Sequence, residues 1–460
     1  MGKSLLTRIS ALFGKGRTES SPAAESQQHR IIPEAEHHIN RQHLDDNAMK
    51  VVYRLIDGGY DGYLVGGCIR DLLTGQKPKD FDVATSAHPE EAHELFRRSR
   101  LIGRRFKLLH VRFGRDLIEV ATFRASHNTH PTNTDGEHGR QNASGMITRD
   151  NVYGTIEEDA LRRDFTVNAL YYCVKDHSIY DFANGYQDIQ DRVLRIIGNP
   201  DDRYREDPVR MLRAARFAGK LGFSIEPSTA APIPALAPLL KDIAPARLFD
   251  ESLKLLQSGY AEAAYRHMQQ FDLFEPLFPQ TQAALESEQG ELVSTLILNA
   301  LRNTDRRLAQ RKSVTPAFLY AALLWYPVQA LMQKLIQEDH MPPLPALHEA
   351  ANQVIGRQVK STAIPRRFST PIREIWELQV RLPRREGNRA QRLLEQPRFR
   401  AAYDLLLLRE NSGEDLGGLS HWWTDYQAAN AQTRPQMESD LGPRPKPRRR
   451  RRKKPGNSGE

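Results

Sequence analysis

The chain has 460 residues, 39% of them hydrophobic and 27% charged, with a formal net charge of +9. That length leaves room for roughly two to four domains with buried cores, and no apolar run approaches the roughly 20 residues a membrane-crossing helix needs. Only two cysteines occur, Cys68 and Cys173, with no CxxC and no Cys/His cluster, which excludes a thiolate zinc site and points to a reducing, cytoplasmic setting.

Residues 1–44 are polar and irregular and read as a flexible leader. Its first 17 residues hold one apolar cluster (Leu5, Leu6, Ile9, Leu12 and Phe13). They lack the long apolar stretch and cleavage site of a secretory signal. A frayed terminus is expected there, with a short amphipathic helix on a membrane or partner as the alternative. Residues 48–55 are spaced like a helix, and Tyr63-Leu64-Val65 is a short apolar strand ending at Gly66-Gly67, after which a helix runs through Arg70 and Leu73. Residues 79–85 alternate like a strand, residues 89–98 read as a helix, and residues 106–113 and 117–123 as two strands joined by Gly114-Arg115-Asp116. The polar stretch 126–145 exceeds an ordinary connection and is expected to be a mobile, substrate-facing or disordered loop. Thr155 and Glu158 form a capping box for a helix through Arg163. Beyond about Pro200 the strands end, and apolar spacing to about Leu406 predicts an all-helical second half.

The fold class is therefore α+β. A small mixed-sheet head (45–198) is followed by a helical neck (199–270) and body (271–430), with a disordered leader (1–44) and tail (431–460). Nine of the 66 basic residues crowd between Arg444 and Lys454, so the rest of the chain is close to neutral. Such a run stays disordered until a polyanion neutralises it, and nucleic acid is the natural partner.

Asp80 and Asp82 are the centre of the functional argument. Side chains two apart on a strand project the same way, about 6–7 Å apart. Two carboxylates that close repel, and one is driven toward protonation unless a cation intervenes. Magnesium takes one or two carboxylates plus substrate phosphates. Gly66-Gly67, 13 residues upstream, lets backbone N–H groups approach a triphosphate at a helix start. With Arg70 and Asp71 on the following helix, the set describes a nucleotidyl-transfer site.

The run Leu64-Val65-Gly66-Gly67-Cys68-Ile69-Arg70-Asp71 and then Asp80-x-Asp82 resembles the opening of the class II nucleotidyltransferases, the family of tRNA CCA-adding enzymes and bacterial poly(A) polymerases. The likeness continues through Arg162-Arg163-Asp164-Phe165-Thr166-Val167-Asn168-Ala169, Asp181-Phe182-Ala183-Asn184-Gly185 and Glu206-Asp207-Pro208-Val209-Arg210, covering about residues 60–220. It implies Mg²⁺ chemistry with ATP as substrate. In the family the aspartate at the position of Asp164 is commonly counted as the third active-site carboxylate. Glu119, acidic on an apolar strand, is an alternative third ligand if that strand lies beside the one bearing Asp82. Arg162 and Arg163 are assigned to phosphates, Asp164 and Asn168 to ribose or to bracing, and Asp207 with Arg210 to the adenine edge. From its spacing alone the last pair reads first as a structural salt bridge capping the helix, and the resemblance reverses that order. Asn184-Gly185 stands where the family often has two glycines, a departure expected to touch only loop motion.

The segment from Leu101 to Val111 and the arginine-rich tail favour the polyadenylating branch, which extends RNA 3′ ends. CCA addition to tRNA and a non-catalytic RNA-binding role are the alternatives. RNA-decay machinery and an Sm-like RNA chaperone are partners the resemblance implies.

Overall fold

The computed structural model describes residues 29–103, 107–125, 139–141, 147–150 and 152–441. The chain divides into two compact units, one within residues 1–131 and 152–187, the other within 132–151 and 188–460.

The first unit is built on an eight-stranded mixed sheet. Its strands are β1 (Arg30–Ile32), β2 (Gly62–Val65), β3 (Asp82–Thr85), β4 (Ser99–Ile102), β5 (Leu108–Phe113), β6 (Asp116–Thr122), β9 (Leu170–Tyr172) and β10 (Ile179–Asp181), while β7 (Gly139–Gln141) and β8 (Ile147–Asp150) form a separate ribbon. The sheet order is β1-β10-β9-β2-β3-β6-β5-β4. The β3–β6 pair is parallel and the other neighbours are antiparallel.

A short helix, α1 (Glu34–His37), follows β1, and α2 (Asp46–Asp57) begins where the Asp45 side chain accepts the Ala48 N–H. That bond satisfies one of the orphan donors of the first turn. Ala48, Val51, Val52 and Leu55 of α2 are fully buried. A Cβ on Gly62 would meet Val52 and Leu55, so α2 covers the sheet face that carries Gly62. Leu64, Val83 and Val120 lie on that same face through the register of β2, β3 and β6, because alternate residues share a face. Their neighbours Val65, Asp82 and Glu119 therefore occupy the opposite face. The remaining helices of this unit are α3 (Gly67–Leu73), α4 (Pro89–Leu95) and α5 (Ile156–Arg162); α6 (Gly185–Gln190) follows β10. The capping box at Thr155 and Glu158 is present at α5.

In the second unit β11 (Val193–Leu194) pairs in parallel with β12 (Ser224–Ile225). Apart from these and the β7–β8 ribbon, the regular elements described in this unit are helices, beginning with α7 (Pro200–Glu206), α8 (Val209–Leu221), α9 (Pro227–Ala230), α10 (Ile233–Leu236), α11 (Pro245–Leu256) and α12 (Ala261–Gln270), and continuing to Ser439. At Gly219 an added Cβ would lie 2.7 Å from the Ala264 nitrogen, so this glycine allows α8 and α12 to meet closely. Among the described residues no helix is long and apolar enough to cross a membrane.

The α+β class is as expected, and four boundaries differ. Residues 30–44 belong to the first unit rather than to a leader, with Ile32 fully buried on an edge strand. A three-residue strand is too short to show a period. Residues 99–102 are a strand, since α4 stops at Leu95. The two-residue β12 interrupts the helical half. Helix Thr433–Ser439 lies in the stretch assigned to a disordered tail. The leader up to residue 28, most of the 126–145 stretch, Arg104-Arg105-Phe106 and the Arg444–Lys454 run lie outside the described residues.

Candidate active site

In-register pairing puts Val65, Asp82, Glu119 and His110 in one row across β2, β3, β6 and β5. Asp82 is the first residue of β3, and Asp80 sits in its exposed lead-in rather than in the strand itself. Glu119 accepts from or pairs with His110, whose Nε2 lies 3.2 Å from Oε1. Although Asp82 keeps an exposed surface, its carboxylate is crowded. Partial burial, then repulsion from Glu119 and from Asp80, lifts its pKa to about 6, against the pull of Arg163. Beneath it the Cys68 thiol donates to the Val65 carbonyl at 3.4 Å, and burial followed by the charge of Asp82 pushes its pKa up to about 12. A thiol in that state is a core group, not a metal ligand.

Crowded carboxylates of this kind are what a hard divalent cation relieves. The oxygen donor set fits magnesium chemistry. Among the described residues, no three His, Cys, Asp or Glu side chains are already gathered closely enough to hold an ion alone. Phosphate oxygens of a nucleotide would complete the shell, as they commonly do for magnesium.

Gly66 has φ +81°, which only glycine adopts without strain. Its N–H donates to the Leu170 carbonyl at 3.2 Å, and a Cβ there would stand 3.3 Å from Arg163 Nη1. Gly67 opens α3. The residues around this turn bond to one another. Arg70 donates to Asp71 at 2.9 and 2.6 Å and also to the Asn168 side-chain oxygen. Asn168 donates in turn to Asp164 at 3.1 Å, and Asp164 accepts the Phe165 N–H at 2.8 Å. Arg70, Asp71 and Asn168 are buried. These bonds knit α3, which Gly67 opens, to the turn at Thr166–Asn168.

Arg163 is held by a partner that sequence reasoning missed. Asp159 Oδ2 accepts from its Nε and Nη2 at 3.2 and 3.0 Å and from the Tyr171 hydroxyl at 2.6 Å. Burial alone would raise the Asp159 pKa. Arg163, then Arg124, then the Tyr171 hydrogen bond hold it below the usual carboxylate value instead. The guanidinium stays beside Gly66 and within electrostatic reach of Asp82. The four-residue spacing of Asp159 and Arg163 on a helix was the available signal.

The Asp181 carboxylate accepts three backbone N–H groups, from Ala183, Gly185 and Tyr186, at 2.9–3.1 Å. Within this turn Asn184 takes φ +62°, a left-handed conformation asparagine tolerates. A Cβ on Gly185 would fall 2.1 Å from the Thr166 carbonyl oxygen. The Asn184-Gly185 pair is thus a matter of backbone conformation and close packing, where the sequence suggested loop motion.

In the second unit, Asp207 and Arg210 turn to different partners. Asp207 accepts Arg247 at 2.8 Å and the Val209 N–H at 3.3 Å. Arg210 Nη1 donates to Glu206 at 2.9 Å and to the Arg203 carbonyl at 2.7 Å. The salt bridge between the two that their spacing suggested is replaced by these pairs. Arg247, from α11, had no sequence signal tying it to Asp207.

Three family models match the sequence. They are the poly A polymerase head domain over residues 62–195, a probable RNA and SrmB-binding site of polymerase A over 222–285, and the polymerase A arginine-rich C-terminus over 339–455. Poly(A) polymerase I of Salmonella typhimurium is 48% identical over 439 residues, covering 95% of this chain and 94% of that one. A CCA-adding enzyme of Lactobacillus helveticus is 36% identical over 219 residues, covering 48% of this chain and 52% of its own length. Among solved structures, a CCA-adding enzyme in its apo form II shares the fold, with a TM-score of 0.56 at 19% identity over 87% of this chain and 88% of that one.

Proposed function

Since the chain belongs to the poly(A) polymerase family and is a nucleotidyltransferase that adds adenylates to RNA without a template, we propose that the transfer takes place over Asp82, Asp80 and Glu119. The observation that carries this reading is the register that sets Asp82 beside Glu119 on β3 and β6, a charge conflict with which the raised pKa of Asp82 agrees. Mg²⁺ is the ion proposed for Asp80 and Asp82, with Glu119 as the further oxygen donor; when bound it supplies charge neutralisation for the attacking and leaving oxygens.

The reaction is an in-line displacement. The RNA 3′-hydroxyl oxygen gives up its proton to solvent and bonds to the α-phosphorus of ATP, the bond to the bridging oxygen of the β-phosphate breaks, and pyrophosphate leaves with that electron pair. Positioning and electrostatics supply most of the rate. The turn at Gly66-Gly67 presents backbone to the triphosphate, and Arg163, fixed by Asp159 and Tyr171, meets phosphate charge there. Arg70, Asp71, Asp164 and Asn168 hold that turn in shape. For this reason Glu119 is favoured over Asp164 as the third carboxylate.

Adenine selection is assigned to the neck. Asp207 would accept from the amino group, and Arg210, whose Nε and Nη2 carry no partner among the described residues, would donate to a ring nitrogen. We assign residues 199–270 to base and RNA binding, the body to residue 430 to RNA binding, and the tail to unselective RNA grip. A role in mRNA processing and RNA decay in the cytoplasm, alongside decay enzymes and an Sm-like chaperone, belongs to the same reading. CCA addition shares these motifs, but its relative matches only half of the chain. Incubating a short unstructured RNA with Mg²⁺ and each nucleoside triphosphate separately tests the reading: long extension with ATP alone supports it, and C-then-A addition confined to tRNA would overturn it.

A further inference from the structure

On the sheet face away from Asp82, α2, the α4–β4 junction and the β5–β6 turn enclose a cleft of about 1100 Å³. Four cations line it, Lys50, Arg54, Arg97 and Arg98, against one carboxylate, Asp57, while Arg112 alternates with Val111 and Phe113 and lies on the Asp82 face. All four are exposed. None is ion-paired among the described residues, whereas arginines elsewhere commonly are, such as Arg302 with Glu262 and Arg195 with Asp188. Gathering four like charges around a single carboxylate costs electrostatic energy, and the cost is recovered when a polyanion binds. Aromatic surface lies among them. Tyr53 and Phe113 are half-buried on the cleft wall, and the Arg54 guanidinium sits 5.8 Å from the Phe96 ring centre.

A basic groove with interleaved aromatic rings is the chemistry that tracks single-stranded nucleic acid without reading its sequence. The space exceeds what one nucleotide fills. The cleft also has a route to the carboxylates. The row of Asp82, Glu119 and His110 ends in register at Arg100 on β4, the edge strand of the sheet. Three strand spacings put that edge about 14 Å from Asp82. Arg100 is exposed and, among the described residues, unpaired. Arg98 and Arg97, two and three residues before it, already line the cleft behind the edge.

We propose that this cleft holds the phosphate backbone of single-stranded RNA upstream of the 3′ end being extended, the strand turning past Arg100 at the β4 edge. The proposal rests on the assignment of the reacting 3′ end to the Asp82 face. It gives the head a sequence-tolerant hold on RNA that the catalytic motifs do not supply.

The test compares the full chain with an R54A/R97A/R98A variant on two primers, a long unstructured RNA and an oligoadenylate too short to round the β4 edge. Removing three phosphate contacts should raise KM for the long RNA by about tenfold and flatten its log–log salt dependence by about 2. KM for ATP and extension of the short primer should stay at the full-chain values. The lysine version, R54K/R97K/R98K, should restore most of the long-RNA affinity, which a purely structural role for these side chains would not give. An unchanged KM and salt slope for the long RNA would overturn the proposal and leave an acidic protein segment as the candidate occupant. Equal losses on both primers, with lysine failing to rescue, would also overturn it. If the full chain itself fails to extend the short primer with ATP, the assignment of the catalytic face fails first.

Discussion

Asp82 and Glu119 are register partners across the parallel β3–β6 pair, so two carboxylates that are 37 positions apart in sequence share one face of the sheet. Their repulsion, added to partial burial and to the charge of Asp80, lifts the Asp82 pKa to about 6.

The pH dependence follows from the sign of that shift. Between the ordinary value of 3.8 and about 6, folded Asp82 keeps a proton that the unfolded chain has released. Above about pH 6 the ionised group therefore costs stability. In metal-free buffer Asp82→Asn should melt higher than the parent at pH 8, the difference vanishing below pH 3.8. The same variant should lose at least about 100-fold in kcat while keeping its RNA affinity. Because proton and cation compete, activity at limiting Mg²⁺ should fall as the pH drops through about 6, and more Mg²⁺ should move that midpoint lower. Melting curves and extension rates across pH check both halves.

Gly185→Ala places a Cβ 2.1 Å from the Thr166 carbonyl oxygen, so backbone has to move. We expect a loss of about 1–3 kcal/mol in stability. Asn184→Gly, at φ +62°, should change stability by less than about 1 kcal/mol and leave kcat intact. Denaturant titration of the two variants separates packing from loop motion: an unaffected Gly185→Ala would favour motion.

Asp159→Asn removes the buried anion that holds Arg163 at 3.0 Å. Breaking such a pair typically costs about 3–5 kcal/mol. Because the Asp159 pKa lies below its usual value, the stability it contributes is present above the unfolded pKa of 3.8 and is lost as pH falls through the folded one. KM for ATP should rise as well, since Arg163 would no longer be fixed beside Gly66. Retention of both Tm and KM would remove Asp159 from the account.

Deleting residues 444–460 removes nine basic side chains. Long-RNA affinity should weaken and its log–log salt slope should shrink by up to about 6, at about 0.7 per lost contact, with KM for ATP unchanged. A salt slope equal to that of the full chain would exclude the tail from RNA grip.

The chemistry of the site was legible in sequence wherever it rests on local order. The Gly66-Gly67 turn and the Thr155 capping box each sit within a few residues, and local spacing fixes their geometry; of the two aspartates expected on one strand, only Asp82 lies in β3. Pairing was partly legible: an acidic residue on an apolar strand marked Glu119, but only the parallel register of β3 and β6 puts it beside Asp82. Long-range partners left no trace. Nothing ties Arg247 to Asp207, 40 positions earlier, or Arg70 to Asn168, 98 positions later. Edge strands such as β1 were invisible because three residues cannot show a period and two of the three in β1 face water. The motif grouped Arg70, Asp71 and Asn168 in one site, and their mutual hydrogen bonds are a detail that only the folded chain shows.

The most direct test is anomalous diffraction from crystals grown with Mn²⁺ and a non-hydrolysable ATP analogue. The account predicts a manganese peak bound by carboxylate oxygens of Asp80 and Asp82, with triphosphate oxygens completing the shell. Triphosphate density over Gly66-Gly67 with no metal peak at those two aspartates would contradict it.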